Sequence, residues 1–137
     1  MSVEELVRGY ADRFWNQDEH SYADEAFSPD AVYHDPMVPG LPPGPDGARQ
    51  RKATYASGLS DHHVVVHDLL TTDDRAAARW TYTGRFSGEF MGQSPTGETI
   101  TVTGMHFFRI RDGQIAEAWI EYDSAGFLRT IGVLNLP

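Results

Sequence analysis

The sequence has 137 residues, of which 40% are hydrophobic and 12% aromatic, a size and composition that predict a single globular domain over residues 1–137. The formal net charge of -9 argues against binding to nucleic acid or to an anionic membrane surface. The chain has no cysteine, which excludes disulfides, thiolate nucleophiles and cysteine metal sites. The first residues lack a leader pattern and no long apolar stretch follows, so we expect a cytoplasmic protein.

The beginning of the chain has a helical pattern. Ser2 and Glu5 fit a capping box, and apolar residues then recur at helical spacing, which predicts an amphipathic helix over residues 3–16. A second short helix is predicted over residues 21–27, and a brief strand follows over residues 31–34. Helices therefore precede the main sheet.

Proline and glycine are frequent in residues 36–47, which predicts a loop long enough to act as a flap. Asp46 is placed to cap a third helix over residues 47–57. From residue 63 onward β-branched and aromatic residues predominate, in runs separated by turn-forming residues. These runs predict a four-stranded antiparallel meander with strands over residues 64–66, 76–82, 99–110 and 115–122.

The Asp-Gly pair at residues 112–113 marks the hairpin between the last two strands. A two-residue turn of this kind needs positive φ at both positions, which Asp and Gly tolerate. Continuous pairing from this turn places His106 opposite Trp119 and puts both on one face with Asp123. The opposite face is also largely apolar, so we expect the helices to cover one face and a partner subunit the other.

Asp123 directly follows the last predicted strand and precedes a short C-terminal helix. A carboxylate held against apolar groups is suited to general acid–base chemistry, because its charged form is desolvated. Alternatively, Asp123 caps the C-terminal helix. His106 lies within a strand, where a neutral imidazole can bind substrate, a carboxylate or the backbone. The predicted shared face makes Asp123 and His106 the candidate catalytic pair.

We expect no metal. His62, His63 and His67 lie in a predicted strand, where neighbouring side chains face opposite ways and residues four apart are ~13 Å from each other. His34 and Asp35 stand between a strand and the predicted flap, but two residues alone do not make a ligand set. Motifs of covalent or cofactor chemistry, such as a nucleophile elbow or a P-loop, are also missing from the sequence.

Several motifs follow one another in the second half of the chain: Gly84-Arg85-Phe86-Ser87-Gly88-Glu89-Phe90-Met91-Gly92, Ser94-Pro95-Thr96-Gly97, the stretch from Phe108 to Trp119, Asp123 and Gly132. Their order resembles the SnoaL-like polyketide cyclase family. The leading helix, the His34-Asp35-Pro36 triplet and the third helix also fall where that family has them, so the resemblance covers most of the chain.

The resemblance implies a cone-shaped α+β barrel of the nuclear-transport-factor-like superfamily: a curved antiparallel sheet with N-terminal helices closing an apolar pocket, usually in a homodimer. For the polyketide-cyclising members it implies an intramolecular aldol condensation without a cofactor, in which one aspartate, matching Asp123, moves the protons. Many members have polar residues where this chain has Phe86, Ala118 and Thr130, so we expect a drier pocket.

These residues suggest a mechanism for a small hydrophobic, polyketide-like substrate. Asp123 would remove a C–H proton next to a carbonyl and later return it to the new alkoxide. His106 would donate a hydrogen bond to a developing oxyanion. The residues expected to bind the substrate are Tyr10, Trp15, His34, Tyr55 and Trp119.

Other functions fit the same predicted pocket. A carboxylate that activates water would make the protein an epoxide hydrolase, or an enzyme that hydrates, dehydrates, isomerises or hydroxylates its substrate. Oxygen from labelled water would then enter the product of a hydrolase or hydratase. If the pocket instead binds a ligand without converting it, the protein is a small-molecule binding protein. Asp123→Asn should then change neither the affinity for the ligand nor any product profile.

Overall fold

A computed structural model describes residues 1–135 of the chain. Within these residues, no helix is both long enough and apolar enough to cross a membrane. The elements in chain order are α1 (Val3–Gly9), a π-helical segment (Tyr10–Asn16), α2 (Tyr22–Ala26), β1 (Phe27–His34), α3 (Pro45–Ala56), β2 (Leu59–Thr71), β3 (Arg75–Phe86), β4 (Thr99–Arg111), β5 (Gln114–Tyr122) and α4 (Ser124–Ile131).

The strands form one curved, open sheet in the order β1-β5-β4-β3-β2. The predicted α+β fold with a curved sheet is confirmed, and β2 to β5 form the predicted antiparallel meander. The sheet has a fifth strand, however, because β1 pairs in parallel with β5 along Val32–His34. The alternation of residues gives the two faces of a strand but not its partner, and here the partner lies far along the chain.

The hairpin between β4 and β5 forms around the predicted turn, in which residues 112 and 113 have φ of 52° and 75°. Ile110 faces Ile115 across it, as continuous pairing predicts. A β-bulge follows in β5. Arg109 therefore faces Glu117, whereas continuous pairing would have placed Ala116 opposite it. One extra residue on β5 sends every later side chain of that strand to the other face.

The bulge corrects the predicted arrangement of the candidate residues. His106 lies opposite Ile120 on the inner face of the sheet, whereas Trp119 lies opposite Phe107 on the outer face. The prediction that His106, Trp119 and Asp123 share one face is therefore wrong. A bulge leaves no clear mark in the apolar pattern of β5, because both faces of this strand carry apolar side chains.

The N-terminal helix changes type at Tyr10. Ser2 accepts a hydrogen bond from a first-turn amide at 3.0 Å, which confirms the predicted N-terminal cap. From Tyr10 onward the backbone is π-helical, and at its end the amide of Gln17 bonds to the carbonyl of Asp12. The second half of the predicted helix is thus not α-helical. π-Helical turns are rare in proteins overall, and those that occur often lie at functional sites.

Buried and partly buried polar contacts hold the π-helical segment against the rest of the fold. Lys52 on α3 donates to the carbonyl of Phe14 at 2.6 Å and to Asp18 at 2.7 Å. Asn16 accepts from the amide of Val64 on β2 at 2.7 Å and donates to its carbonyl at 2.9 Å. These contacts tie the end of the segment to both α3 and β2.

Helix α3 begins at Pro45, with Gly44 as its N-cap residue at a φ of 81°. This φ suits glycine, which has no Cβ to clash. Asp46 lies in the first turn, where it pairs with Arg49 at 2.7 Å instead of capping the helix. The predicted cap was therefore wrong, because Pro45 starts the helix earlier than Gly47.

The two faces of the sheet differ in their cover. The π-helical segment, α1 and α3 pack on the inner face, where they bury the core. The outer face carries exposed apolar side chains, among them Met105 at 57%, Phe107 at 44% and Trp119 at 37% of their full accessibility. Cover of this face by a partner subunit stays a prediction.

Candidate functional site

The inner face of the sheet borders a cavity made of two adjacent chambers. The first chamber has a volume of about 60 Å³ and the second of about 50 Å³, and Trp15, Arg51 and Trp80 line both. Pockets for drug-sized ligands measure roughly 300–1,000 Å³, so this conformation suits a compact ligand. Other lining residues are Tyr10, Ala78, His106 and Phe108 in the first chamber, and Tyr55, Tyr82, Val102, Tyr122 and Phe127 in the second.

Four buried side chains form a hydrogen-bonded series that ends at the first chamber, and we call it the aromatic network (Trp80, His106, Tyr33 and Tyr10). Trp80 Nε1 donates to His106 Nδ1 at 2.8 Å. His106 Nε2 bonds to the hydroxyl of Tyr33 at 2.5 Å, and that hydroxyl bonds to the hydroxyl of Tyr10 at 3.0 Å. The four residues come from β3, β4, β1 and the π-helical segment, so only the folded chain assembles them.

The direction of these hydrogen bonds follows from the donors. An indole N–H can only donate, so Nδ1 of His106 must accept. Burial, and then the charge of Arg51, lowers the pKa of His106 well below 6.5, so its single proton lies on Nε2 and is donated to Tyr33. The only other partner of the Tyr33 hydroxyl in residues 1–135 is Tyr10. The hydroxyl hydrogen of Tyr10 then has no acceptor within residues 1–135, and because Tyr10 lines the first chamber this hydrogen is available to a ligand there.

A buried ion pair lies behind the boundary between the chambers. Arg51 Nε donates to Asp35 Oδ2 at 2.7 Å, and their side chains are only 5% and 0% exposed. Tyr55 donates to the same oxygen at 2.9 Å, and the amide of Met37 donates to the other oxygen at 2.9 Å. Because Asp35 lines neither chamber, it positions Arg51 and Tyr55 rather than facing a ligand.

The second chamber contains a pair of tyrosine hydroxyl groups. Tyr55 already donates to Asp35, so Tyr122 donates to Tyr55 across 2.9 Å. Burial raises the pKa of Tyr122 to about 12, which keeps this hydroxyl neutral. The oxygen of Tyr122, which lines this chamber, is therefore available to accept a hydrogen bond from a ligand hydroxyl or amide.

Asp123 lies outside the cavity. Its exposed carboxylate accepts a hydrogen bond from the amide of Gly126 at 2.9 Å, and Asp123 is the N-cap residue of α4. It borders an open depression of about 470 Å³ on the outer side of the sheet, together with Arg79 and Met105. Asp123 thus occupies the capping position that the sequence left open as an alternative, and its catalytic role stays a prediction.

The residues predicted to bind substrate divide into two groups. Tyr10 and Trp15 line the first chamber, and Trp15 and Tyr55 line the second. His34 and Trp119 lie on the outer side, where their rings stack with centroids 5.3 Å apart. They line neither chamber, so they are not placed to contact a molecule in the cavity.

No group of three or more metal-ligating side chains occurs in the part of the chain that the structure describes. His62 Nδ1 bonds to the hydroxyl of Tyr82 at 2.5 Å, and His67 Nε2 bonds to the hydroxyl of Thr81 at 2.7 Å. The side chains that face the chambers are donors and neutral acceptors, which suits binding of an organic ligand.

The sequence pattern did not single out Trp80, Tyr33 or Arg51 as functional residues. For Trp80 the sequence did contain a signal. On β3, Ala76 and Ala78 precede Trp80 at alternating positions and leave room beside its indole. Arg51 lies in the middle of an otherwise polar helix, and nothing local distinguishes it from an exposed arginine. Only the packing of α3 shows that it is buried.

Comparison with known proteins gives the family. A family model for SnoaL-like polyketide cyclases matches residues 5–131. Among solved structures, TsrD from Streptomyces laurentii is 28% identical, with a TM-score of 0.84 over 96% of both chains. IdmH from Streptomyces antibioticus, a candidate polyketide cyclase, is 30% identical, with a TM-score of 0.79 over 95% of this chain and 98% of that one.

A third solved structure comes from a protein with a different suggested activity. AclR from Streptomyces galilaeus, a candidate hydroxylase, is 25% identical, with a TM-score of 0.75 over 96% of this chain and 93% of that one. No protein with a curated function matches the chain. The family match spans nearly the whole sequence and includes every residue of the cavity described above. The chain therefore belongs to the SnoaL-like polyketide cyclase family.

Proposed function

We propose that the protein is a cofactor-independent enzyme that closes a ring in a small hydrophobic, polyketide-like substrate inside the two-chambered cavity. The observation that carries this proposal is the direction of the aromatic network, which ends with the hydroxyl hydrogen of Tyr10 at the first chamber. A preorganised donor in a water-poor site stabilises developing negative charge more strongly than water does. Membership of a family of polyketide cyclases supports ring-forming chemistry.

In this proposal water takes the acidic C–H proton of the substrate, the electron pair of that bond stays on the resulting enolate, and the enolate carbon attacks a further carbonyl of the same molecule. The carbonyl oxygen then becomes an alkoxide, and the Tyr10 hydroxyl donates a hydrogen bond to it. The alkoxide takes a proton from water when the product leaves. Trp15 and Trp80, at the boundary of the chambers, hold the two reacting carbons close, which supplies the proximity that ring closure needs.

His106 acts in this scheme as a positioning residue. Both of its ring nitrogens are engaged, Nδ1 by Trp80 and Nε2 by Tyr33, so it neither takes a proton from the substrate nor donates directly to the oxyanion. It orients the two tyrosine hydroxyl groups instead. Asp123 has no part in the scheme, because it lines neither chamber.

The test is the cyclisation of an aryl-substituted triketone, which carries an acidic C–H between two carbonyls and a third carbonyl within reach. Tyr10→Phe removes one hydrogen-bond donor and keeps the ring, so kcat/KM should fall by ~10²–10³. Asp123→Asn is the matched comparison and should keep the wild-type rate. If Asp123→Asn abolishes cyclisation while Tyr10→Phe leaves it intact, the proposal is wrong and the proton-shuttle mechanism predicted from the sequence is right.

We further propose that two copies of the chain associate through the outer face of the sheet. Phe107 and Trp119 are exposed neighbours there, with ring centroids 5.9 Å apart, and the Arg109–Glu117 pair lies beside them. A two-fold axis would bury the apolar side chains and bring opposite charges together. Sedimentation should give a dimer for the wild type and a monomer for Phe107→Lys; a monomeric wild type would contradict the proposal.

A further inference from the structure

The guanidinium group of Arg51 has hydrogen-bond donors that no atom of residues 1–135 uses. Within the described residues only its Nε donates to the protein, although Nη1 and Nη2 carry four further N–H groups. Every fully enclosed side-chain nitrogen or oxygen in that part of the chain has a partner. Nη1 and Nη2 therefore face open space, and the space beside Arg51 is the cavity, since this residue lines both chambers.

The surroundings of this cation are aromatic. Its central carbon lies 4.9 Å from the ring centre of Tyr33, 5.3 Å from that of Tyr55 and 5.8 Å from that of Trp15. The residue is 4% exposed. Asp35 balances its charge from behind, and no carboxylate from residues 1–135 lines either chamber. A planar fork of donors thus points into an apolar cavity that contains no anionic acceptor.

A guanidinium fork matches an anion with two coplanar oxygens, because two parallel N–H···O bonds form at once. The enolate of a 1,3-dicarbonyl group is such an anion, since its single negative charge is shared between two oxygens on the same side of a planar unit. The phenyl or alkyl part of such a molecule would occupy the apolar space between Trp15 and Trp80.

We propose that Arg51 is the residue that recognises the substrate, by binding the enolate of its 1,3-dicarbonyl unit through Nη1 and Nη2. The inference rests on the proposed function, which needs an enolate but leaves its recognition open. The C–H bond between the two carbonyls breaks, water takes the proton, and the electron pair stays on the enolate at Arg51. The enolate carbon then bonds to the carbon of a third carbonyl group, the π bond of that carbonyl breaks, and the charge moves to the resulting alkoxide at Tyr10, which water protonates.

The probe is 1-phenylbutane-1,3-dione, which forms an enolate with its own absorption band but has no third carbonyl with which to cyclise. Stabilisation of the bound enolate should make this band appear about one pH unit lower with wild-type protein than without it, which is a tenfold shift in the ionisation equilibrium. A matched monoketone, 4-phenylbutan-2-one, should bind at least ~10-fold more weakly. An unshifted band, or equal affinity for the two ketones, overturns the inference.

Two variants locate the effect at Arg51. Arg51→Met combined with Asp35→Asn removes both buried charges together, which avoids leaving one of them unpaired, and should abolish the shift. Arg49→Lys is the matched control, because Arg49 lies on the same helix but pairs at the surface with Asp24, and it should keep the shift. A shift that persists in the double variant contradicts the inference. If the double variant does not fold, the wild-type comparison of the two ketones decides.

The test of enolate binding at Arg51 and the test of cyclisation by Tyr10 can fail independently of each other. Tyr10→Phe should keep the shift of the 1-phenylbutane-1,3-dione band, since Tyr10 binds the other carbonyl of the substrate. A normal shift with cyclisation that is insensitive to Tyr10→Phe would contradict the catalytic role of Tyr10 and leave the binding role of Arg51 standing. Tyr10-dependent cyclisation without any shift would contradict only the role of Arg51.

Discussion

The indole Nε1 of Trp80 lies 2.8 Å from Nδ1 of His106, and both residues are buried. This one contact decides which nitrogen of the imidazole carries the proton, because the indole cannot accept a hydrogen bond. A histidine held in this way is a donor through Nε2 and not a base. Trp80 thereby sets the direction of every later bond in the aromatic network.

Trp80→Phe should cost about 2 kcal/mol or more of the free energy of unfolding, because it leaves Nδ1 of the buried His106 without a donor and removes apolar volume. Chemical denaturation of the purified variant measures this loss. Trp119→Phe, on the exposed outer face, is the comparison and should cost less than about 1 kcal/mol. Equal losses for the two variants would show that the contact with His106 adds nothing to stability.

The stability of the fold should depend on pH through His106. Its pKa in the folded state is well below 6.5, so below pH 6.5 the unfolded chain binds a proton that the folded state rejects. The free energy of unfolding is therefore unaffected by this titration above pH 6.5. As the pH falls further, it declines by roughly 1.4 kcal/mol per pH unit until the pKa of His106 in the folded state is reached.

Denaturation curves between pH 7.5 and 5 measure this effect. His106→Gln removes the titrating group but keeps one acceptor and one donor, so its free energy of unfolding should fall less steeply with acid than that of the wild type. His67→Gln removes an exposed histidine on β2 and serves as the control. The prediction is wrong if His106→Gln and the wild type show the same slope.

The two substitutions of Asp123 should separate its capping role from any catalytic one. Asp123→Ala removes the hydrogen bond to the amide of Gly126 and should cost about 1 kcal/mol of stability. Asp123→Asn should cost little, because asparagine caps helices about as well. Thermal unfolding of both variants checks this, and a large loss for Asp123→Asn would mean that the negative charge itself is needed.

Gly104 on β4 leaves room for the side chains that close the cavity. A Cβ at this position would lie 2.6 Å from the ring of Trp80 and 2.7 Å from Cβ of Tyr122, which is closer than real contacts allow. Gly104→Ala should therefore displace Trp80 and cost ~1–3 kcal/mol. Thr103→Ala, on the exposed face of the same strand, should be nearly neutral in the same denaturation assay; a neutral Gly104→Ala would show that Trp80 moves freely.

Much of the fold was predictable, because local patterns determine the type of each element. The Asp-Gly turn at residues 112–113 and the cap at Ser2 were both correct. The site was less predictable, since one bulge on β5 put His106 and Trp119 on opposite faces. Sequence alternation reports which residues are apolar, but not where an extra residue interrupts the pairing of two strands.

The aromatic network depends on residues that no local pattern connects. Trp80 and His106 meet across neighbouring strands, and Tyr33 reaches them only because β1 joins the sheet in parallel beside β5. Tyr10 was predicted to contact substrate as part of a helical stripe, but its hydroxyl bond to Tyr33 was not predictable. Such contacts follow from topology, which pairs strands that are far apart in the sequence.

The most direct test of the hydrogen-bond direction in the aromatic network is the ring tautomer of His106, measured by ¹⁵N NMR of protein with labelled histidine. The hydrogen bond from Trp80 predicts a neutral imidazole at pH 7 whose proton lies on Nε2 and whose Nδ1 has the shift of an unprotonated acceptor. A proton on Nδ1, or a charged imidazole at pH 7, would contradict it, because the hydroxyl hydrogen of Tyr10 would then no longer be directed to the first chamber.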